Sequence, residues 1–413
     1  MLTSVFTPSH NPRFLDDCYA SLCRQTHTDW EWLVLLNGRA REWATPTPDG
    51  RVKIFRLPGG VKGVGAAKRA ACEQAKGEVL VELDHDDLLA STCLEEVERA
   101  FVQNPDAVLV YSDFAQINED GSPNSERFNA ANGWIYDEVE VDGTTHLRCN
   151  ALEASPHNMG YIWYAPNHVR AFRRSAYEAV GGYDRLLEVL DDQDLMMRLF
   201  TAGDFVRLDR CLYLQRMHGR NTQVAPAINA HIQQQTVTMY LQNIETMAVA
   251  WARRQGLQTV TLRTAEMPGF AAPEEDVHLI VADSPVLPFA DNSVGVIKAQ
   301  ELLQRLPDRA AFFNECYRVL VHGGLIMTET PSTDGRGAFQ DPSHVAYYNE
   351  NSFWYLTQEG LRATLPGLNA RLQISQLRTY YPTTWHEQMQ IPYVQANLLC
   401  IKGGPRQGGP LLV

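Results

Sequence analysis

The sequence predicts an α/β protein built from two domains, each carrying a largely parallel sheet. Three observations predict this. Strand-like apolar runs alternate with helical periodicity through residues 1–222, the alternation resumes after residue 256, and a long amphipathic segment lies between. A chain of 413 residues with 45% hydrophobic content can fill two such cores.

The elements follow in order. "NPRFLDDCYASLCRQTH" places Phe14, Cys18 and Leu22 at helical spacing, and "WEWLVLLNG" is a buried strand ending in a turn. "RVKIFRL" is the next strand, followed by the Ala-rich helix "GVGAAKRAACEQAKG", which Gly77 stops. "EVLVELD" is a strand, "LLASTCLEEVERAFVQNP" a helix and "AVLVYSD" a strand. Between 121 and 165 the pattern weakens into Gly, Asn, Pro and aromatic residues, the composition of loops. Ile228, Ile232, Tyr240, Ile244, Met247 and Trp251 then trace one face of a long helix. The expected division is a first domain over 1–222, a helical connector over 223–256, a second α/β domain over 257–402 and a mobile tail over 403–413. In the second domain "VHLIVAD", "SVGVIKA" and "GGLIMTETP" read as strands and "RAAFFNECYRVL" as a helix. Asp341 and His344 read as turn residues, with core aromatics around them.

A net charge of -13 argues against broad binding to nucleic acid, whose phosphates demand a basic surface. No apolar run approaches the roughly 20 residues that span a bilayer, and the first residues lack the pattern of a signal peptide. Eight scattered cysteines form no C-x-x-C pair, which fits reduced thiols in the cytoplasm. Association with the inner face of a membrane stays open.

The chemistry concentrates in "ELDHDDLL". In an extended chain Asp84 and Asp86 project to one side and His85 to the other, so both carboxylates could reach one Mg²⁺ or Mn²⁺ ion. Such ions usually complete their shell with water and substrate phosphate, which implies a diphosphate leaving group. Asp87 is expected to cap the following helix. Asp191, Asp192 and Asp194 open another helix, where a carboxylate is placed to act as a general base. His218 follows a strand, and a neutral imidazole there would suit Mn²⁺.

Residues 1 to 222 resemble an inverting, GT-A glycosyltransferase of the family 2 type. The resemblance rests on the ordered series "TPSHNP", "LVLLNG", "GVGAAKRAACEQAKGEVLVELDHDDLL", "GGYDRLLEVLDDQDLMMRL" and "RMHGRNTQ". It implies a Rossmann-like nucleotide-binding domain with Asp84 and Asp86 as the metal- and diphosphate-binding pair. Asp192 would be the catalytic base, with Asp191 beside it. Further implied roles are Thr7 and Pro8 near the nucleotide base, Lys68 near the diphosphate and His218 on the metal. Asn37 stands where relatives commonly carry Asp, and its amide could still pair with a uracil edge. The implied partners are a UDP-sugar donor and a hydroxyl acceptor, such as a glycan in surface polysaccharide synthesis.

The second domain resembles a class I SAM-dependent methyltransferase, through "LPFADNSVGVIKAQELLQRLPD" and "ECYRVLVHGGLIMTETPS". The glycine-rich loop such enzymes need is absent from "LQTVTLRTAEMPGFAAPEEDVHLIVAD", and Gln304 or Arg305 stands where a His is usual. SAM binding is therefore not expected, and dimerisation or acceptor docking is the expected role. The rival readings are a bifunctional glycosyltransferase and methyltransferase, and a non-catalytic scaffold.

Overall fold

A computed structural model describes residues 1–57, 63–128, 130, 133–219, 226–263, 277–280 and 286–403. The chain divides into two compact units, 1–247 and 248–413.

The first unit opens β1 (Thr3–Ser9), α1 (Leu15–Cys23), β2 (Trp30–Leu36), β3 (Val52–Arg56), α2 (Val64–Cys72), β4 (Val79–Glu82) and β5 (Leu88–Leu89). It continues α3 (Cys93–Gln103), β6 (Ala107–Ile117), β7 (Tyr136–Val141), β8 (Thr144–Cys149) and α4 (Pro156–Gly160). β9 (Arg170–Arg173), α5 (Arg174–Ala179), α6 (Asp191–Ala202) and β10 (Asp204–Arg216) follow, and α7 (Pro226–Arg254) runs across the boundary between the units. The apolar runs read as strands are strands because they are buried on both faces: all seven residues of β2 lie inside. The expected Ala-rich helix stops at Cys72, one turn before Gly77.

The main path of the sheet runs β3-β2-β1-β4-β9-β6-β10-β5. The first four strands are parallel, and β10 is parallel to β6. β9 runs antiparallel between β4 and β6. Its first residue therefore lies where β4 finishes, with Arg170 opposite Glu82 on one side and Tyr111, in the middle of β6, on the other. α6 leads directly into β10, so the head of that helix lies at the same end. The stretch expected as loops contains the hairpin β7–β8, which attaches to β6 through Phe114 and Cys149. In α7, Tyr240, Ile244 and Met247 are buried as expected, whereas Ile228 is exposed.

The second unit holds β11 (Gln258–Arg263), β12 (Val277–Ile280), β13 (Val294–Gln300), α8 (Arg309–Val319), β14 (Leu320–Pro331) and α9 (Gly337–Gln340). α10 (Glu350–Thr357), α11 (Glu359–Arg362), β15 (Leu372–Tyr380), α12 (Thr384–Gln388) and β16 (Tyr393–Cys400) complete it. Its sheet order is β12-β11-β13-β14-β16-β15, with β16 antiparallel to both neighbours. Val260, Ile297, Phe313, Ile326 and Leu398 belong to its separate core. Asp341 accepts from the Ser343 N–H at 2.9 Å and from Arg305 at 2.9 Å, so it builds a turn. Tyr348 and Phe353 join the core, but Tyr347 and Tyr355 are exposed. The segment 264–276, where a glycine-rich loop would fall, and the tail beyond 403 lie outside the described residues.

Candidate functional site

The acidic stretch ends β4 and then turns. The Asp87 N–H donates to the Asp84 carbonyl at 3.2 Å, so the chain turns at Asp86 rather than running on extended. Asp86 meets His218 Nε2 at 2.8 Å, bringing together two residues far apart in sequence. Asp84 faces His168 Nε2 at 3.4 Å. Asp87 is not a helix cap: Thr92 holds that position for α3. Buried instead, the Asp87 carboxylate accepts from the Arg216 N–H at 2.6 Å and the Tyr213 hydroxyl at 2.9 Å, tying β10 to the turn. Burial, and then the charges of Asp86 and Asp84, push its pKa well above the ordinary carboxylate value.

Donor atoms of Asp84, Asp87 and His168 all lie within 4.8 Å of one another. Donors around a small divalent ion, with bonds of about 2.1 Å, sit roughly 3–4 Å apart, so a modest contraction would close this set on one ion. His168 is buried, and its Nδ1 has no hydrogen-bond partner among the described residues. Carboxylate oxygens with an imidazole suit Mn²⁺ or Mg²⁺, and the repulsion among the acids gives a cation a reason to bind.

Behind this turn lies a buried charge network. Lys68 on α2 pairs with Glu82 at 2.6 Å and with Asp191 at 3.0 Å. Arg170 on β9 pairs with Asp192 at 2.8 Å and with Glu82 at 3.3 Å. α2 approaches α6 closely because residue 65 is Gly: a Cβ there would stand 2.7 Å from the Asp184 carbonyl oxygen and 2.8 Å from Asp191 Cβ. Leu190 at the head of α6 adopts a left-handed φ of 62°, uncommon for a side-chain-bearing residue. That local strain accompanies the presentation of Asp191 and Asp192. Burial opposes the charge on both, with different outcomes. Burial prevails at Asp191 and raises it, whereas Arg170 and Lys68 outweigh burial at Asp192 and hold it low. Asp192 is thus ionised at neutral pH, and its carboxylate keeps 21% exposure.

The other expected residues scatter around this centre. Thr7 and Pro8 belong to β1 rather than to a loop. The Thr7 hydroxyl donates to the Leu83 carbonyl and accepts from the Trp32 indole, both at 2.8 Å, so it braces the strands. Asn37 follows β2, and its buried side-chain oxygen has no hydrogen-bond partner among the described residues. Asp194 pairs with Arg198 one helical turn on. Sequence reasoning missed Glu82, His168 and Arg170. The signal was there: His168 and Arg170 are two apart in "PNHVRAFRR", as are Glu82 and Asp84 in "VELDH", the spacing that puts both members of a pair on one side of a strand.

Residues 4–181 match the family described as Glycosyl transferase family 2, and residues 232–328 match one described as Methyltransferase domain. The hyaluronan synthase of Pasteurella multocida is 25% identical over 255 residues, covering 58% of this chain and 24% of that protein. The chondroitin synthase of Escherichia coli is 23% identical over 230 residues, covering 54% of this chain and 30% of that protein. The chain thus spans less than a third of the length of these curated relatives. Among solved structures, Staphylococcus aureus TarS 1-349 in complex with UDP-GlcNAc superimposes with a TM-score of 0.42 at 14% identity. That superposition covers 62% of this chain and 72% of that one.

Proposed function

The N-terminal domain belongs to glycosyltransferase family 2, and on that premise we propose that the chain is a metal-dependent, inverting transferase. It moves a sugar from a UDP-sugar to a hydroxyl of a glycan acceptor. One observation carries the reading: the acid–histidine turn at the end of β4 lies against the network that holds Asp192, because His168 and Arg170 are neighbours on one strand entry. Two matched relatives are named as synthases of hyaluronan and chondroitin, which favours a polysaccharide acceptor.

Asp84, Asp87 and His168 would hold a Mn²⁺ or Mg²⁺ ion, with the Asp86–His218 pair beside them on the same turn, and the ion's charge would offset that of the departing diphosphate. Asp192, ionised and partly exposed, accepts the proton of the acceptor hydroxyl as its oxygen attacks the anomeric carbon. Gln193 donates its backbone N–H to Asp192 Oδ1 at 2.8 Å and orients the carboxylate. The buried oxygen of Asn37, without a hydrogen-bond partner among the described residues, supports a role in reading the base, since an amide there would gain a donor from a uracil edge. Thr7 supports that site only indirectly, by holding β1 in place.

Calorimetric titration with UDP, with and without Mn²⁺, tests the reading. Wild type should bind UDP in a Mn²⁺-dependent way, and Asp84→Ala/Asp86→Ala should weaken that binding by about 100-fold. Metal-independent UDP binding, or equal affinity in the double variant, would refute the metal role. SAM in a parallel cell tests the second domain.

A further inference from the structure

We propose that Glu82 is a positioning residue for sugar transfer, acting on Asp192 through Arg170 and on Asp191 through Lys68. The inference rests on Asp192 being the base. Glu82 is the last residue of β4 and is fully buried. A carboxylate there is retained only if its charge is met in full, and it is met three times. Lys68 pairs with Oε1 at 2.6 Å, and Arg170 pairs with Oε2 at 3.3 Å. The Tyr183 hydroxyl donates to Oε2 at 3.2 Å.

Each of the two cations reaches forward from Glu82 to a different carboxylate at the head of α6. Lys68 takes Asp191 at 3.0 Å, and Arg170 takes Asp192 at 2.8 Å. Two cations thus serve three carboxylates, and Glu82 decides how much of each cation's field falls on α6. Arg170 is restrained further by donating its Nε–H to the Pro166 carbonyl at 2.9 Å. With Glu82 neutral, Arg170 would turn its whole charge onto Asp192, occupy the lone pairs that an acceptor hydroxyl needs, and make the carboxylate a poorer base. Lys68, Glu82 and Arg170 are all buried and spent on one another and on the carboxylates of α6, so donor affinity should be spared.

The test compares Glu82→Gln with wild type in kcat and in Mn²⁺-dependent UDP affinity. The amide keeps the shape and can still accept hydrogen bonds. kcat should fall about 10-fold or more, with UDP affinity held within about 3-fold. Unchanged kcat overturns the proposal. So does an equal loss of kcat and UDP affinity, which would mark a merely structural residue. Should Glu82→Gln not fold, Arg170→Lys, which keeps the charge but loses the shared fork, must give the same split in kcat alone. Asp192→Asn is run alongside. If it retains transfer, the base assignment itself fails. If it is inactive while Glu82→Gln turns over normally, only the role of Glu82 falls.

Discussion

Asp191 and Asp192 are adjacent, equally acidic in isolation, and driven apart by what surrounds them: burial governs one and an arginine the other. The same arithmetic gives a cleaner case away from the site. Asp49 receives the Arg51 side chain at 3.1 and 2.8 Å, the Arg51 N–H at 2.9 Å and the Tyr19 hydroxyl at 3.1 Å. Arg51 in particular holds it at about 2, against an ordinary 3.8. A lowered carboxylate stabilises the fold above its unfolded value and loses that contribution as pH falls through its folded value. The melting temperature of wild type should therefore exceed that of Asp49→Asn at pH 5, and the gap should close between pH 4 and pH 2. A gap independent of pH would refute this. At this scale Asp84, Asp86, Asp192 and His218 could be singled out by residue type and by their place at element ends, and the structure brings Asp86 and His218 together. The two-residue spacings of Glu82 to Asp84 and of His168 to Arg170 were legible, but the pairing of Glu82 with Arg170, 88 residues apart, was not.

Helix α6 depends on α2 for its placement, and the contact is made where α2 has no side chain. Gly65→Ala would press a methyl group against the Asp184 carbonyl and Asp191. Overpacking of this kind costs about 1–3 kcal/mol, and here it would also drive Lys68 away from Asp191. The expected result is a lower melting temperature together with reduced turnover. Wild-type values of both would show that the helices part freely. The alternation of strands and helices was readable throughout, since both periodicities are written in apolar spacing. The turn at Asp84–Asp87 was not. Nothing local separates a strand running on through "LDHDD" from one that bends there, and the bend is fixed by Tyr213 and Arg216 arriving from β10. The hairpin β7–β8 was hidden for a similar reason, as charged, half-exposed strands carry little apolar alternation.

On the scale of the whole chain, two units with separate sheets and cores predict two unfolding events. Calorimetric scanning should resolve two transitions, with UDP and Mn²⁺ raising only one. At 100 times Kd the ligand adds about 2.7 kcal/mol to the unit that binds it. A single transition moved as a whole would show the units to unfold together. Among the described residues no helix is long and apolar enough to cross a membrane. The strand order of the first unit has a consequence for how the protein is made. β9 is inserted between β4 and β6, although it follows them in the chain by many residues. Until the ribosome has delivered residue 173, β4 and β6 each present an unsatisfied edge, and the sheet exists as two open halves. Closing so distant a pairing is slow. The nascent chain therefore passes through a stage in which its apolar strands are exposed to other copies, a stage that β9 shortens on one edge of β6 and β10 ends on the other.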